Sequence, residues 1–527
     1  MLSSPPSNAV HGDSGLSLVH GPTSPALLDQ TLGALVDAQA RDYGPYTAVV
    51  VPWQNVRLTY RELAENSRIT AKAMLDYGLK HGDCVGIYAG NCHQYIELFL
   101  AAARIGCPYV VLNNTFSPDE LQTAVTRSRP RDTSEHLRKL LSNSAESPDL
   151  IGIVELGSAA AALPSSYNTG RMLYHNFLLL GTSVFMSDSV LRRAERKVKP
   201  HDVLNLQFTS GTTGLPKAAM LTHSSIVFPS GNFDPKLTLD AVVDEKATAL
   251  LGVPTMFLAE LEELERSPRD ITTVRTGLAA RSAVPPSLMA SLREKMNVQG
   301  MLIAYGMTET SPVTFITSLD DTEERMFESL GRVLPHTSAK IVDRDGKITP
   351  RGVRGEICTS GFALQKGYWK DEEKTLEAMR RDENGVIWMH TGDEGYLDAE
   401  GYGYITGRIK DLIIRGGENL SPNEIEDRLL CHPVICEACV VGLSDKKYGE
   451  VVGAFLRAAG SQRLSDDEVR GWITQKLGRV KAPQYIFWLG DPGIGDTLPK
   501  TGSGKYQKHL IRKLGDALKF QSYQPKL

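Results

Sequence analysis

The chain is short of several things at once, and each shortage closes a class of function. Seven cysteines in 527 residues, irregularly spaced, make no disulfide framework and suit a reducing compartment. No apolar run reaches membrane-spanning length; FLLLGTSVFM, from Phe177 to Met186, is too short and too polar. The start, MLSSPPSNAVHGDSG, has no cationic stretch followed by an apolar one, so no secretory signal is expected. Fifty-eight Lys and Arg face sixty-two Asp and Glu, a formal charge of −4, and no basic field exists to hold nucleic acid or anionic lipid. The expectation is an intracellular protein with no nucleic-acid partner and no membrane span. Internal repeats are absent as well.

A zinc framework is also missing. The tightest gathering of ligand-type residues is Cys431, His432, Cys436 and Cys439 in CHPVICEACVVG, and no second pair follows at zinc-site spacing. The apolar VICEACVVG reads instead as a buried strand with its lead-in, where cysteine serves as a small hydrophobe.

What is present is ordinary globular material, 41% hydrophobic and 23% charged. The length exceeds what one core serves, so two or more domains are expected. Residues 1–25, rich in Ser, Pro and Gly, read as a flexible tail. Helical and strand patterns then alternate. LTYRELAENSRITAKAMLDYGL (Leu58 to Leu79) has helical spacing and CVGIYAG (Cys84 to Gly90) is a strand; YIELFLAAARIG and PYVVLNN repeat the pair. This alternation predicts an α/β fold: a large multi-layer N-terminal domain with parallel sheets, over 26–407. A second region begins near residue 408, after a turn-rich stretch. In it Ser421 is an N-cap with Pro422 at the first helical position, ACVVGLS is a strand, and SDDEVRGWITQKLG is a capped helix. It is expected to form a small hinged α+β C-terminal domain over 412–516, joined through 408–411 and ending in a tail, 517–527.

The string LQFTSGTTGLPKAA is built for anionic oxygen. Thr209, Ser210, Thr212 and Thr213 offer hydroxyls, Gly211 and Gly214 free the backbone N–H groups, and Leu215 and Pro216 lead to one ammonium, Lys217. A Walker A loop needs Gly before its Lys and Ser or Thr after it; here Pro216 precedes and Ala218 follows, which excludes that class. Four further motifs come in order: YGMTET (Tyr305 to Thr310), TGDEGYLDAEGYGYITGRIKDLI (Thr391 to Ile413), RGGENLSPNEIE (Arg415 to Glu426) and LPKTGSGKYQK (Leu498 to Lys508).

Together these five co-linear motifs resemble the signature of the adenylate-forming superfamily, which includes acyl-CoA synthetases, aryl-CoA ligases, peptide-synthetase adenylation domains and firefly-type luciferases. The similarity spans roughly residues 30–515 and is nearest to medium-chain and fungal secondary-metabolite acyl-CoA ligases. The resemblance implies an AMP-forming acid–thiol ligase acting on a fatty or secondary-metabolite (polyketide or toxin) acid, with ATP, Mg²⁺ and coenzyme A. Thr209 to Lys217 would grip the β- and γ-phosphates. Tyr305, with Gly306 after it, would lie against adenine, Thr308 by the α-phosphate, and Glu309 on Mg²⁺. Asp393 would accept the ribose hydroxyls and Arg408 would contact ribose and phosphate. Lys505 is the implied catalytic residue, an ammonium delivered to the α-phosphate and the attacking carboxylate. Lys410 matches the hinge about which the small domain rotates, and Gly416 and Gly417 would let the arm of CoA pass.

Three departures stand against this pattern. Ile226 and Phe233 are separated only by VFPSGN, where the family carries a long stretch lining the acyl pocket, so elements around 227–232 are expected to be absent. Arg281 in TGLAARSAVP takes the place of a glycine, and a strand is missing near SRPRD, around residue 130. Losing a strand and helix from a packed sheet exposes apolar neighbours. The sequence leaves open an acyl-CoA ligase, a free-standing enzyme loading a carrier-protein thiol, and an inactive chain that binds nucleotide or a partner. The terminal PKL approaches a peroxisomal address, leaving peroxisome and cytoplasm open, with an import receptor as a possible partner in the first case.

Overall fold

The computed structural model describes residues 15–112, 121, 124, 153–156, 171–183, 186–209, 217–222, 233–280, 286–460, 462–500 and 506–521. The first α/β unit follows from the periodicities. Strands Val85–Tyr88, Tyr109–Leu112 and Val203–Thr209 are parallel neighbours, and Lys217–Thr222 closes the sheet antiparallel. Helix His93–Ile105 crosses between the first two and ends at Gly106, whose φ of 71° supplies a left-handed cap. The preceding helix begins at Tyr60 rather than Leu58. Thr59 is its N-cap: its Oγ1 accepts from the Glu62 N–H while Glu62 Oε2 accepts from the Thr59 N–H, and this capping box fixes the start.

A second parallel set, Ala249–Gly252, Thr276–Ala280 and Gly300–Tyr305, continues into the short antiparallel strands Phe315–Ile316 and Arg332–Val333. Its first strand is the edge among the described residues. Leu251 there is 70% exposed, and Leu237 and Leu258 on the flanking helices are exposed too. Only the residues from 223 to 234 separate strand Lys217–Thr222 from helix Pro235–Asp244. The residues at issue, 223–232, together with Arg281 and 125–150, lie outside the described part.

The expectation of parallel sheets holds for these two units and not for a third. Leu18–His20, Thr337–Val342, Gly355–Gly361, Ile387–Leu397, Met379–Arg381 and Gly403–Arg408 form a wholly antiparallel sheet. The N-terminal tail is corrected with it. Residues 1–25 are not uniformly loose: Leu18–His20 pairs with Thr337–Val342, and the Ser17 hydroxyl donates to the Pro350 carbonyl at 2.8 Å. Val19, buried in the core under that sheet, gives the segment its reason to dock.

The C-terminal unit sets helices Pro422–Leu430, Asp466–Leu477 and Lys508–Gln521 with the sheet Glu418–Leu420, Ile413–Arg415, Gly449–Ala458, Ile435–Asp445, to which Tyr485–Trp488 adds parallel. Ser421 caps the first helix, with Pro422 at its first position, and Ile435–Asp445 is the buried strand read from VICEACVVG.

Candidate active site

Tyr305 ends a parallel strand, and the chain leaves it at the carboxyl end, where α/β sheets take their ligands. Gly306 permits that exit: a Cβ there would meet the Pro312 carbonyl oxygen at 2.0 Å. The 3₁₀ turn Thr308–Thr310 follows and buries Glu309, which is 5% exposed. Tyr368 donates to Glu309 Oε1 at 2.9 Å. No ion pair to Glu309 occurs among the described residues, so this buried carboxylate has a neutral partner, a state fit for a divalent cation with a preference for oxygen.

Asp393 arrives from another direction. From Met389 to Leu397 buried and half-buried positions alternate, and the period of two turns Asp393 to the covered side. Gly392, with φ of 72°, lies in an irregularity of the pairing between Glu356–Cys358 and His390–Glu394. The turn is pinned three times: Gly392 N–H donates to Glu356 Oε1 at 3.0 Å, Thr391 Oγ1 to the Ile357 carbonyl at 2.7 Å, and Asp393 N–H to Thr391 Oγ1 at 3.1 Å. Arg408 is the cross-strand partner of Asp393, and its Nε donates to Asp393 Oδ1 at 3.1 Å. Tyr305 donates its hydroxyl to Asp393 Oδ2 at 2.7 Å. Two sheets thus meet at one carboxylate. Each of its oxygens has a further lone pair for a ligand hydroxyl. Burial first, and then the Asp393 charge, pushes the Tyr305 phenol well above its ordinary pKa. Burial and Glu309 do the same to Tyr368, so both phenols remain donors.

Of the glycine-rich string the described residues include the two stems. Thr209 and Lys217 end antiparallel strands directly across from one another, while Ser210, Gly211, Thr212, Thr213, Gly214, Leu215 and Pro216 lie outside the described part. Lys505 lies outside it too. Its flanks do not: Lys500 and Tyr506 bridge as backbone partners. Glu437 gathers both, accepting from Lys500 Nζ at 2.8 Å, Tyr506 at 2.7 Å and Arg457 Nε at 2.7 Å. Burial opposes ionisation there, but these three donors outweigh it and bring the Glu437 pKa down to about 2. Lys508 pairs with Glu426 at 2.8 Å, so two of the three lysines in LPKTGSGKYQK are spent on structural partners.

Lys410 is exposed in the 3₁₀ turn Ile409–Asp411, between Gly403–Arg408 and Ile413–Arg415. Gly416 and Gly417 form the two-residue turn of a hairpin in which Arg415 faces Glu418. Their φ values are 58° and 90°, both positive as a type I′ turn requires. A Cβ on Gly417 would meet nothing, so backbone conformation rather than space selects glycine here. Sequence reasoning missed Glu356, Tyr368 and Glu437: the first two stand outside the five motifs, and Glu437 lies in VICEACVVG, read only as a buried strand.

An AMP-binding enzyme profile matches residues 36–233 and 224–369, and an AMP-binding enzyme C-terminal domain profile matches 424–505. The chain belongs to the AMP-binding enzyme family. Acyl-CoA ligase sidI of Aspergillus fumigatus is 43% identical over 554 residues, covering 95% of this chain and 93% of that protein. Acyl-CoA ligase cnsG of Penicillium expansum is 41% identical over 507 residues, covering 95% and 97%. Because 95% of 527 residues is about 500, about 50 positions of the sidI alignment have no residue here, whereas the cnsG alignment has almost no such gap. The chain is thus shortened relative to sidI and close in length to cnsG. Among solved structures, the anthranilate CoA ligase AuaEII in complex with anthranoyl-AMP has a TM-score of 0.78 at 22% identity, covering 95% of this chain and all of that one, a likeness of fold.

Proposed function

We propose that the protein is an ATP-dependent acyl-CoA ligase: a carboxylic acid attacks the α-phosphorus of ATP, pyrophosphate leaves, and the thiol of CoA then displaces AMP from the acyl-adenylate. The observation that carries the reading is the meeting of Tyr305, Asp393 and Arg408 at a strand's carboxyl end, with Glu309 four residues beyond Tyr305, in a chain of this family. Asp393 takes the ribose hydroxyls, its position fixed by Tyr305 and Arg408. The Tyr305 ring offers its face to adenine, Thr308 reaches the α-phosphate, and the stretch from Thr209 to Lys217 holds the outer phosphates. Glu309 holds Mg²⁺, which supplies charge neutralisation at the phosphates. Lys505 stabilises the charge that develops as carboxylate meets phosphorus. Lys410 is the pivot, and the turn at Gly416 and Gly417 lines the CoA approach. The close relatives carry the name acyl-CoA ligase, which supports CoA as acceptor, and cnsG carries it at a length close to that of this chain.

The acid is a fatty or secondary-metabolite carboxylate. Purified protein with ATP, magnesium and a library of such acids should release pyrophosphate, and acyl-CoA once CoA is added. Loss of charge-assisted hydrogen bonds to ribose, at about 1.5–3 kcal/mol, should raise the ATP KM of Asp393→Ala by about 10- to 100-fold. Lys505→Ala should abolish turnover while ATP still binds. Equal pyrophosphate release by wild type and both variants would refute the assignment. The terminal PKL supports peroxisomal residence through an import receptor, with the cytoplasm as the alternative; a reporter carrying the last dozen residues decides between them.

A further inference from the structure

Among the described residues, Glu356, which pins the Gly392 turn, also stands in one cluster with two further metal-ligating side chains, Cys358 and His390. Cys358 and His390 are cross-strand partners on Gly355–Gly361 and Ile387–Leu397, and Glu356 precedes Cys358 by two residues. Cys358 Sγ lies 3.4 Å from His390 Nδ1, and Glu356 Oε2 lies 2.7 Å from the same nitrogen. All three donor atoms are within 4.8 Å of one another.

The convergence on one nitrogen decides what the cluster can do. A thiol–imidazole–carboxylate relay needs the nucleophile and the orienting acid on opposite ring nitrogens. Here both face Nδ1, so the trio is no nucleophile relay. We propose that Cys358, His390 and Glu356 form a three-ligand site for a soft divalent cation of the zinc class, open to one water, and that its occupation is felt at Asp393.

Tetrahedral zinc bonds of about 2.3 Å to sulfur and 2.0–2.1 Å to nitrogen put those two atoms about 3.5 Å apart, close to the observed separation. The nitrogen–oxygen pair must open by about 0.6 Å as one ion replaces their shared proton. Both side chains keep some solvent access, while Cys358 is buried. Burial holds the thiol far above its ordinary pKa, and Glu356 adds to this; Lys340 and Arg380 favour the thiolate, as would the cation itself. Sulfur in the set discriminates against Mg²⁺, which prefers oxygen, so the magnesium of a ligase reaction does not compete. The coupling runs through Glu356. Its Oε1 holds the Gly392 N–H at 3.0 Å, one residue before Asp393, and ligation through Oε2 moves that anchor. This second half rests on the reading of Asp393 as a nucleotide contact.

The test starts with the full-length metal-free protein, dialysed against Zn²⁺ and, separately, titrated with Co²⁺ while a thiolate-to-cobalt absorption band is followed. One equivalent should bind, and Cys358→Ala and His390→Gln should each weaken binding by at least about tenfold, since even outer partners of a metal site are worth 10- to 100-fold. The double variant Cys431→Ala/Cys436→Ala, which removes the two exposed thiols, should bind as wild type does. No stoichiometric binding, or loss of binding in the double variant and not in Cys358→Ala, overturns the site. His390→Gln keeps the test decisive if Cys358→Ala does not fold. Bound zinc should also raise the ATP KM with kcat unchanged; stoichiometric zinc that leaves KM unmoved overturns the coupling and leaves the site standing.

Discussion

Glu260 offers the sharpest quantitative test. It lies on helix Pro254–Arg266, three residues after Phe257 and four before Leu264, which are both core residues, and it is only 2% exposed. Its Oε2 has no hydrogen-bond partner among the described residues. Burial alone pushes its pKa from 4.5 up to about 7. A shift of that size corresponds to about 3 kcal/mol. The folded state binds the proton more tightly than the unfolded state does. Below pH 4.5 the carboxyl is neutral in both and nothing is lost; as pH rises through 7 the folded protein must carry a buried, unpaired charge. Glu260→Gln keeps the shape and cannot ionise. Its stability advantage should be near zero at pH 4.5, grow by about 1.4 kcal/mol per pH unit and level off above pH 7 near 3 kcal/mol. Calorimetric unfolding of the N-terminal transition across that range, wild type beside variant, reads it directly. A difference that does not change with pH, or a wild type the more stable at pH 8, refutes the reasoning.

Arg104, 1% exposed, donates to Asp37, Glu195 at 2.8 Å and Ser67 at 2.9 Å, and so ties together helices Leu32–Tyr43, Tyr60–Asp76, His93–Ile105 and Asp188–Glu195. Arg104→Met should cost about 2–3 kcal/mol, because Glu195 loses its ion-pair partner while Asp37 keeps Arg68 at 2.9 Å, and it should be seen as a lower unfolding temperature; a cost under about 1 kcal/mol would show the network to be idle. Glu437 titrates in the opposite sense to Glu260. Its depressed pKa contributes stability that is complete above 4.5 and is lost as pH falls toward 2. With its partly exposed partners screening the interaction, the contribution is on the order of 2 kcal/mol, so Glu437→Gln should flatten the acid limb of unfolding followed by fluorescence, and an unchanged limb would sink this assignment.

The parts of the molecule that could be read from the chain are those written locally. Ser421 with Pro422 and the apolar periods of His93–Ile105 and Ile435–Asp445 are complete signals within about a dozen residues; the Thr59 cap with Glu62 is equally local but is passed over when the helix is read from Leu58. The antiparallel sheet was not readable in the same way, because two of its strands are only three residues long and the first of them meets a partner far away in sequence. Leu18–His20 is three residues long and finds its neighbour at Thr337–Val342. The site divides likewise. Tyr305, Glu309, Asp393 and Arg408 sit in motifs, whereas the groups that hold them lie elsewhere: Tyr368 is 59 residues from Glu309, and Glu356 is 36 from Gly392. An isolated Glu or Tyr carries no mark of the backbone turn it will fasten.

The edge strand Ala249–Gly252 has a consequence beyond the fold. Among the described residues its outer row of peptide groups, next to the exposed Leu251, has no neighbouring strand and is a template onto which another extended segment can add. Such a row is a sticky seam, and the first place to look when a preparation clouds on concentration is that seam rather than the near-neutral charge.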